Sequence, residues 1–412
     1  MSNIYLGLRN IPGSNSGGPG AVAKLLASSL LAPRRDEMGV RALIDKKVFP
    51  LSCLTESSFE AADVVQSRLQ HTNFWALLQA RPNSLQLNLA HAISQGLRRR
   101  HMRSALRANA VGGPTVVHAF GLPIVYQLHR YKTELNLRLV HEEHSKGGYT
   151  REFLASNPHF ERTRFAARMK EMEVATVQGT DLLIFPSHGA QRLFLESHPT
   201  LVEPILSKSV IIYNAIPDPY SEVGQGDIDS RNIFNVAQHV PEKGIKLFLE
   251  GASRFISELE DDYSSEAINV GAHTALTPEL IAFRDQLPAA NRILFQGKLD
   301  RTHLLEKMRR CWAVVTSTEV AVFDLALLEA MALKKPIIAT PVGGNLEALG
   351  EDYPLYARNA QEIHEKLQLI HREPGLAEAI GTQNRNRFLQ RFTLEPFVDS
   401  RISLWEKLIQ DS

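Results

Sequence analysis

Three stretches of the chain combine residue types suited to a charged, hydroxyl-rich ligand. The first is Ser16-Gly17-Gly18-Pro19-Gly20, a short way after the apolar run Ile4–Leu6. Glycines let backbone amides approach a ligand closely. Proline suits a first helical turn, whose free amides favour anions. An ordinary flexible turn has the same composition, and the stretch is neither a Walker loop nor the dinucleotide glycine pattern. The second is Gln238-His-Val-Pro-Glu-Lys243-Gly244, which follows the β-type run Ile233–Ala237. A lysine in a strand-to-helix loop at the carboxyl edge of a parallel sheet lies where such sheets bind ligands. Its ammonium could neutralise a leaving phosphate; a solvated surface lysine is the alternative. The third runs from Phe323-Asp324-Leu325 through Glu329, Pro336 and Thr340 to Gly343-Gly344-Asn-Leu-Glu347. Glu329 lies in an otherwise apolar helical stretch, where a carboxylate is costly unless it is paired or binds ligand hydroxyls.

The elements that must position these residues form a regular series. Apolar runs recur at Ile4–Leu6, Thr115–Phe120, Leu137–Val140, Leu182–Phe185 and Val210–Tyr213. They continue at Ile233–Ala237, Ala267–Val270, Ile293–Phe295, Ala313–Thr316 and Ile337–Thr340. Near-continuous rather than alternating apolar runs suit parallel strands buried on both faces. The segments between them are long enough for crossover helices, so the fold class is α/β, doubly wound. The two groups of five runs are separated by a polar stretch at 218–231. The expected domains are 1–218 and 219–388, with a last helical segment, 389–412, packing back on the first domain. A length of 412 residues also favours two domains over one core.

Hydrophobic residues at 44% and charged residues at 22% are ordinary for a globular protein and argue against a disordered or fibrous chain. No stretch approaches a spanning helix. The N-terminal residues lack the pattern of a secretory signal, and Cys53 and Cys311 are the only cysteines. The expectation is a reducing cytoplasm with no disulfide framework or cysteine-rich metal site. Neither His141-Glu-Glu-His144 nor Asp261-Asp262 has metal-ligand spacing, so no metal is expected. Net charge is +1, but residues 1–225 carry 25 Lys and Arg against 18 Asp and Glu, whereas the remainder carries 21 against 27. The basic excess in the first part points to an anionic surface or substrate near it, or to chance variation between domains. Arg98, Arg99, Arg100, Arg103 and Arg107 lie within ten residues, interleaved with Ile93, Leu97, Met102 and Leu106. A helix there could rest on an anionic bilayer or carry a solvated arginine face. No nucleic-acid recognition motif is present.

These motifs, in this order and spacing, resemble the family 4 retaining glycosyltransferases of the GT-B fold, over nearly the whole length. Gly17-Gly18-Pro19 resembles that family's N-terminal glycine loop, and Glu143-His144-Ser145 the loop with its active-site histidine. Ser187 and Asn214-Ala-Ile-Pro-Asp218 are similar to later N-domain motifs. Pro241-Glu-Lys243-Gly244 resembles the phosphate-lysine loop, and Phe295-Gln-Gly297 the turn near the nucleotide base. Leu328-Glu329-Ala-Met-Ala and Gly343-Gly344-x-x-Glu347 resemble the second half of the donor signature.

The resemblance implies two Rossmann-like domains with a nucleotide diphosphate sugar, of UDP or GDP type, in the cleft between them. Lys243 would bind the diphosphate, Glu329 the ribose hydroxyls, and His144 would face the transferred sugar. Gly17, Gly18, Gln238, Gly297, Phe323, Asp324 and Leu325 would line the donor. No cofactor beyond the donor is implied. The acceptor would be a glycan or lipid-linked molecule, in bacterial surface polysaccharide or glycoconjugate synthesis, at the cytoplasmic face of a membrane. The chain departs from that family at Gln238, where arginine is usual, at Ala321, where the first signature glutamate stands, and at Asp324, where glycine is usual. Those departures motivate a second expectation, a catalytically silent GT-B subunit that binds a partner or glycan.

Overall fold

The computed structural model describes residues 3–8, 19–31, 39–44, 47–55, 85–109, 112–224, 231–259 and 265–411. Gly17, Gly18 and Asp261-Asp262 lie outside the described residues. The chain divides into two units. The first comprises residues 1–186, 190–212 and 398–412, and the second comprises 187–189 and 213–397.

The first unit is built on a seven-stranded sheet of order β3-β2-β1-β4-β5-β6-β7. Its strands are β1 (Asn3–Leu8), β2 (Arg41–Ile44), β3 (Lys47–Pro50), β4 (Thr115–Ala119), β5 (Leu137–Glu142), β6 (Leu182–Phe185) and β7 (Ser209–Ile211). All neighbours run parallel except β3, which pairs antiparallel with β2. Every residue of β1 and β4 is buried, as strands covered on both faces require. β2 and β3 had no counterpart among the expected strands. At four residues each, they carry too little apolar sequence to stand out. Lys47 and Pro50 mark β3 as an edge strand.

The second unit has a five-stranded, wholly parallel sheet of order β10-β9-β8-β11-β12. Its strands are β8 (Ile233–Val236), β9 (Ala267–Val270), β10 (Ile293–Phe295), β11 (Ala313–Thr316) and β12 (Ile337–Ala339). Chain order reverses between β1 and β4 in one sheet and between β8 and β11 in the other. Those are the switch points, where loops diverge and leave a crevice at the carboxyl ends of the strands.

The helix Ile245–Ser257 shows how the covering layer is encoded. Ile245, Phe248, Leu249, Ala252, Phe255 and Ile256 form one buried stripe, the spacing of an amphipathic helix. Removing Phe248, wholly enclosed in the core, should cost about 3–5 kcal/mol.

Beneath the loop after β8 runs a buried polar chain. His239 bonds Thr277 Oγ1 through Nδ1 and Asn269 Oδ1 through Nε2, each at 2.8 Å. Asn269 Nδ2 donates to Asn235 Oδ1 at 2.7 Å, and Asn235 Nδ2 donates to the Val315 carbonyl at 2.8 Å. Three strands are thereby tied to the base of the loop that carries Lys243.

Candidate active site

Lys243 and Asp324 meet at the switch point of the second unit. The turn that places Lys243 closes on Gly244, whose φ is +56° and where a Cβ would lie 2.1 Å from the Ser317 carbonyl oxygen. Only glycine fits both the backbone conformation and the close approach. Ser317 Oγ donates to the Lys243 carbonyl at 3.1 Å, and Thr318 Oγ1 to that of Glu242 at 3.0 Å. The loop after β8 is thus strapped to the loop after β11. Lys243 Nζ donates to Asp324 Oδ2 at 2.8 Å. Asp324 also caps the helix Leu325–Ala332, its Oδ1 accepting from Ala326 N at 3.3 Å. Attraction to Asp324 raises the Lys243 ammonium above its ordinary value, so it stays charged.

Glu329 lies in that same helix and is buried. Its Oε1 accepts from Arg301 Nη1. Arg301 also bonds Glu222 Oε1 through Nη2 at 3.1 Å, so one guanidinium serves two carboxylates. Burial raises the Glu329 carboxyl above its usual range, while Arg301 opposes the rise. Gln238 is exposed, and Phe323 is buried against Tyr213 and Phe392. Leu325 opens the helix that Asp324 caps. Gly297 has φ +69° and its carbonyl accepts from Gly271 N at 2.9 Å.

The Gly343-Gly344 turn is equally constrained. Gly343 has φ +44°, and a Cβ there would lie 2.0 Å from the Ala321 carbonyl oxygen. Glu347, four residues after Gly343, accepts from the backbone amides of His188 and Gly189 at 2.9 and 2.8 Å. Ser187 Oγ donates to the Val322 carbonyl at 2.5 Å. The Ser187 motif and the Gly343-to-Glu347 motif, far apart in sequence, are therefore brought together.

In the first unit, His144 sits just beyond β5. Its Nε2 donates to Glu142 Oε1 at 3.0 Å. His118 of β4 bonds Glu142 Oε2 through Nε2 at 2.8 Å. Arg401 closes the set, with Nη2 2.6 Å from Oε1 and Nε 3.1 Å from Oε2. Burial alone would raise the Glu142 carboxyl; Arg401 and the two histidines override it and hold it well below the usual range. His141 bonds a different carboxylate, Glu143, at 3.1 Å, so the two histidines of the His141-to-His144 stretch face separate partners. Among the described residues, no group of three or more His, Cys, Asp or Glu is placed to hold a metal ion.

Sequence reasoning missed five of the ion-pair and cluster residues: His118, Glu142, Arg401, Arg301 and Glu222. Arg401 had a legible signal. Val398, Arg401 and Trp405 follow the inward stripe of the helix Leu394–Gln410, and all three are fully enclosed. An arginine on such a stripe requires a buried anion. Arg301 opens the helix Arg301–Arg310, where the helix dipole disfavours a cation; the two carboxylates account for it.

Two Rossmann-like units with these strand orders define the GT-B class, and solved structures of that class align over the chain. HepE of Anabaena, solved with UDP and glucose, matches with a TM-score of 0.66 at 15% identity, over 99% of this chain and 100% of that one. Sucrose-phosphate synthase of Thermosynechococcus elongatus matches with a TM-score of 0.68 at 14% identity, over 100% of both chains. More particularly, residues 222–387 match the family described as glycosyl transferases group 1. An uncharacterized glycosyltransferase of Methanocaldococcus jannaschii is 24% identical over 254 residues, 57% of this chain and 68% of the relative. An alpha-1,3/1,6-mannosyltransferase of Dictyostelium discoideum is 21% identical over 237 residues, 52% of this chain and 56% of that protein. These matches support glycosyltransferase activity of the group 1 kind.

Proposed function

We propose that the chain is a retaining glycosyltransferase that moves a sugar from a nucleotide diphosphate to a glycan or lipid-linked acceptor. The observation that carries this reading is the anion-holding corner of the second unit. An ammonium, Lys243, and the N-terminal end of the helix Leu325–Ala332 converge on one carboxylate, that of Asp324. A donor phosphate has the same charge sign and the same need for those partners. Lys243 would offset the charge of the leaving diphosphate, and Glu329 would hold ribose hydroxyls. Gly17, Gly18 and the Gly343-Gly344 turn would admit phosphates and sugar by backbone contact. The bond from the anomeric carbon to phosphate breaks as the bond to the acceptor oxygen forms on the same face. A donor phosphate oxygen takes the acceptor proton, and His144 steadies the positive charge developing on the sugar. Metal independence belongs to this reading, because Lys243 and helix ends supply the electrostatics. So do a UDP or GDP donor, a role in bacterial surface polysaccharide synthesis, and work at the cytoplasmic face of an anionic membrane.

The test is a thermal-shift screen of the full chain with UDP, GDP and their sugars. A ligand that binds only the folded state raises its melting temperature. Failure of every nucleotide diphosphate to do so overturns the reading. A second reading, a catalytically silent subunit, is favoured by one observation: Lys243 and Glu329 are each already held by a side-chain partner, Asp324 and Arg301. Nucleotide binding without turnover of any bound sugar donor would select it.

A further inference from the structure

The C-terminal helix reaches the proposed catalytic histidine through a relay of buried side chains within the first unit. Glu142 is the hub. Each of its oxygens accepts from Arg401 and from one histidine: Oε1 from His144, Oε2 from His118. Arg401 and Glu142 are 0% and 1% exposed. His118 is engaged at both ring nitrogens, because Trp405 Nε1 donates to its Nδ1 at 3.2 Å. An indole N–H is only ever a donor. His118 Nδ1 must therefore be the bare acceptor and its Nε2 the protonated nitrogen, which donates to Glu142. Burial lowers the His118 pKa, consistent with a neutral ring. The Phe120 ring stacks on His118 at 4.8 Å and lies near-parallel to His144 at 6.4 Å, fixing the plane of both imidazoles.

The same logic passes to His144. A carboxylate that stays ionised can only accept, so the His144 nitrogen facing it, Nε2, carries the proton. Among the described residues, His144 is hydrogen-bonded through Nε2 alone. Its Nδ1 is then the nitrogen left to face a ligand, as a lone pair. The charged and titratable groups that face Glu142 are His118 from β4, His144 from the segment after β5 and Arg401 from the C-terminal helix.

We propose that Arg401 and Trp405 are positioning residues for His144. Through Glu142 and His118 they fix the orientation of the His144 ring, with Nε2 donating to the carboxylate and Nδ1 turned away from it toward a ligand. This rests on the reading of His144 as the residue facing the transferred sugar, where an Nδ1 lone pair favours positive charge developing at the anomeric carbon. Replacing Arg401 by a neutral residue would leave Glu142 without its guanidinium partner, free to turn away from His144 and release the orientation of that ring.

The test uses the full chain labelled with nitrogen-15 at histidine, with the His144 resonances assigned by their loss in H144Q. Long-range proton–nitrogen spectra report the tautomer and titration of the ring without any substrate. The wild type should show His144 and His118 as neutral Nε2–H tautomers at pH 7. R401M should displace the His144 ring-nitrogen resonances from their wild-type positions, and R401K should restore them. W405F should shift the His118 Nδ1 resonance by a large amount and the His144 ring-nitrogen resonances by less, while no change at His144 removes Trp405 from the relay. A wild-type His144 in the Nδ1–H tautomer, or an R401M variant with unchanged His144 ring-nitrogen resonances, overturns the proposal. Should R401M not fold, the wild-type tautomers and W405F decide it. Normal sugar transfer by H144Q would instead remove the catalytic reading of His144 while leaving the measured relay standing.

Discussion

Asp324 Oδ2 lies 2.8 Å from Lys243 Nζ, while its Oδ1 caps the helix that starts at Leu325. The carboxylate thus holds the place that a bound anion would take at a helix N-terminus. A diphosphate reaching Lys243 must displace it or share the cation with it, because two anions at one ammonium repel each other. Asp324→Asn keeps the cap, since asparagine caps helices as well as aspartate, and removes the competing charge. A charge-assisted hydrogen bond is worth about 1.5–3 kcal/mol, so UDP or GDP affinity measured by calorimetry should rise at least roughly tenfold. Unchanged affinity for both nucleotides would mean that Lys243 does not meet the diphosphate.

Lys243→Ala should lower sugar transfer by about 10²–10³-fold through lost stabilisation of the leaving group. Because the ammonium is paired with Asp324, the variant also leaves that carboxylate without its cation, so the rate loss should be smaller in a Lys243→Ala, Asp324→Asn double variant. Gln238→Arg adds a cation to the same loop at an exposed position and should tighten nucleotide binding, an effect that salt weakens. Steady-state rates and nucleotide affinity at two salt concentrations check all three.

Most of the parallel strands, though not β2, and the stretches that carry Lys243, Glu329 and Gly343 were legible because each is encoded locally. A buried parallel strand is a short apolar run, and a tight strand-to-helix turn needs glycine at a definite place. The ion pairs were not legible. Arg301 and Glu329 are 28 residues apart, Lys243 and Asp324 are 81 apart, and Glu142 and Arg401 are 259 apart. Pairing across such distances follows from which strands become neighbours in the sheet, and single-chain periodicity does not contain it. Asp324 shows the limit well. The sequence marked it as an acid where the resembled family has glycine, and only the fold reveals that it already holds Lys243.

Glu329→Gln should reveal a pH-dependent stability difference. The Glu329 carboxyl is raised in the folded chain from its ordinary 4.5, chiefly by burial. A raised folded value means that its favourable contribution is complete below about 4.5 and is lost as pH rises through the folded value. The neutral glutamine avoids that loss. The melting temperature of Glu329→Gln relative to wild type should therefore increase as pH climbs from 4 to 7. A constant difference across that range would show that Arg301 fully offsets the burial. In the same samples, nucleotide affinity should fall more than stability does if Glu329 holds ribose hydroxyls. A large stability loss with intact affinity would make it a purely structural carboxylate.

The arginine-rich helix Leu85–Asn109 sets its basic residues on two sides, and this changes how the proposed membrane contact should be tested. Arg99 lies over the Tyr126 ring, and Arg103 lies over Tyr131 while donating to Glu134 at 2.8 Å. Met102 and Leu106 are buried between them. The spacing by four that joins Arg99, Arg103 and Arg107 therefore sets at least two arginines against the protein's own surface. A different stripe faces outward: Leu89, Ile93 and Leu97 are 57%, 54% and 50% exposed, and Arg100 and Arg107 are exposed on the same helix. Successive steps of four and three residues bring Leu89, Ile93, Leu97, Arg100 and Arg107 onto one side. Three aliphatic side chains flanked by arginines suit the interface of an anionic bilayer, where each basic residue is worth about 1 kcal/mol. Substituting Ile93, Leu97, Arg100 and Arg107 with serine should abolish co-sedimentation with phosphatidylserine vesicles. Arg99→Ser with Arg103→Ser should lower the melting temperature more than it lowers vesicle binding. High salt should weaken the binding of the wild type without eliminating it, because the aliphatic share is not screened. Wild-type protein that ignores anionic vesicles at low salt would end the membrane reading and leave the outward stripe to some other surface.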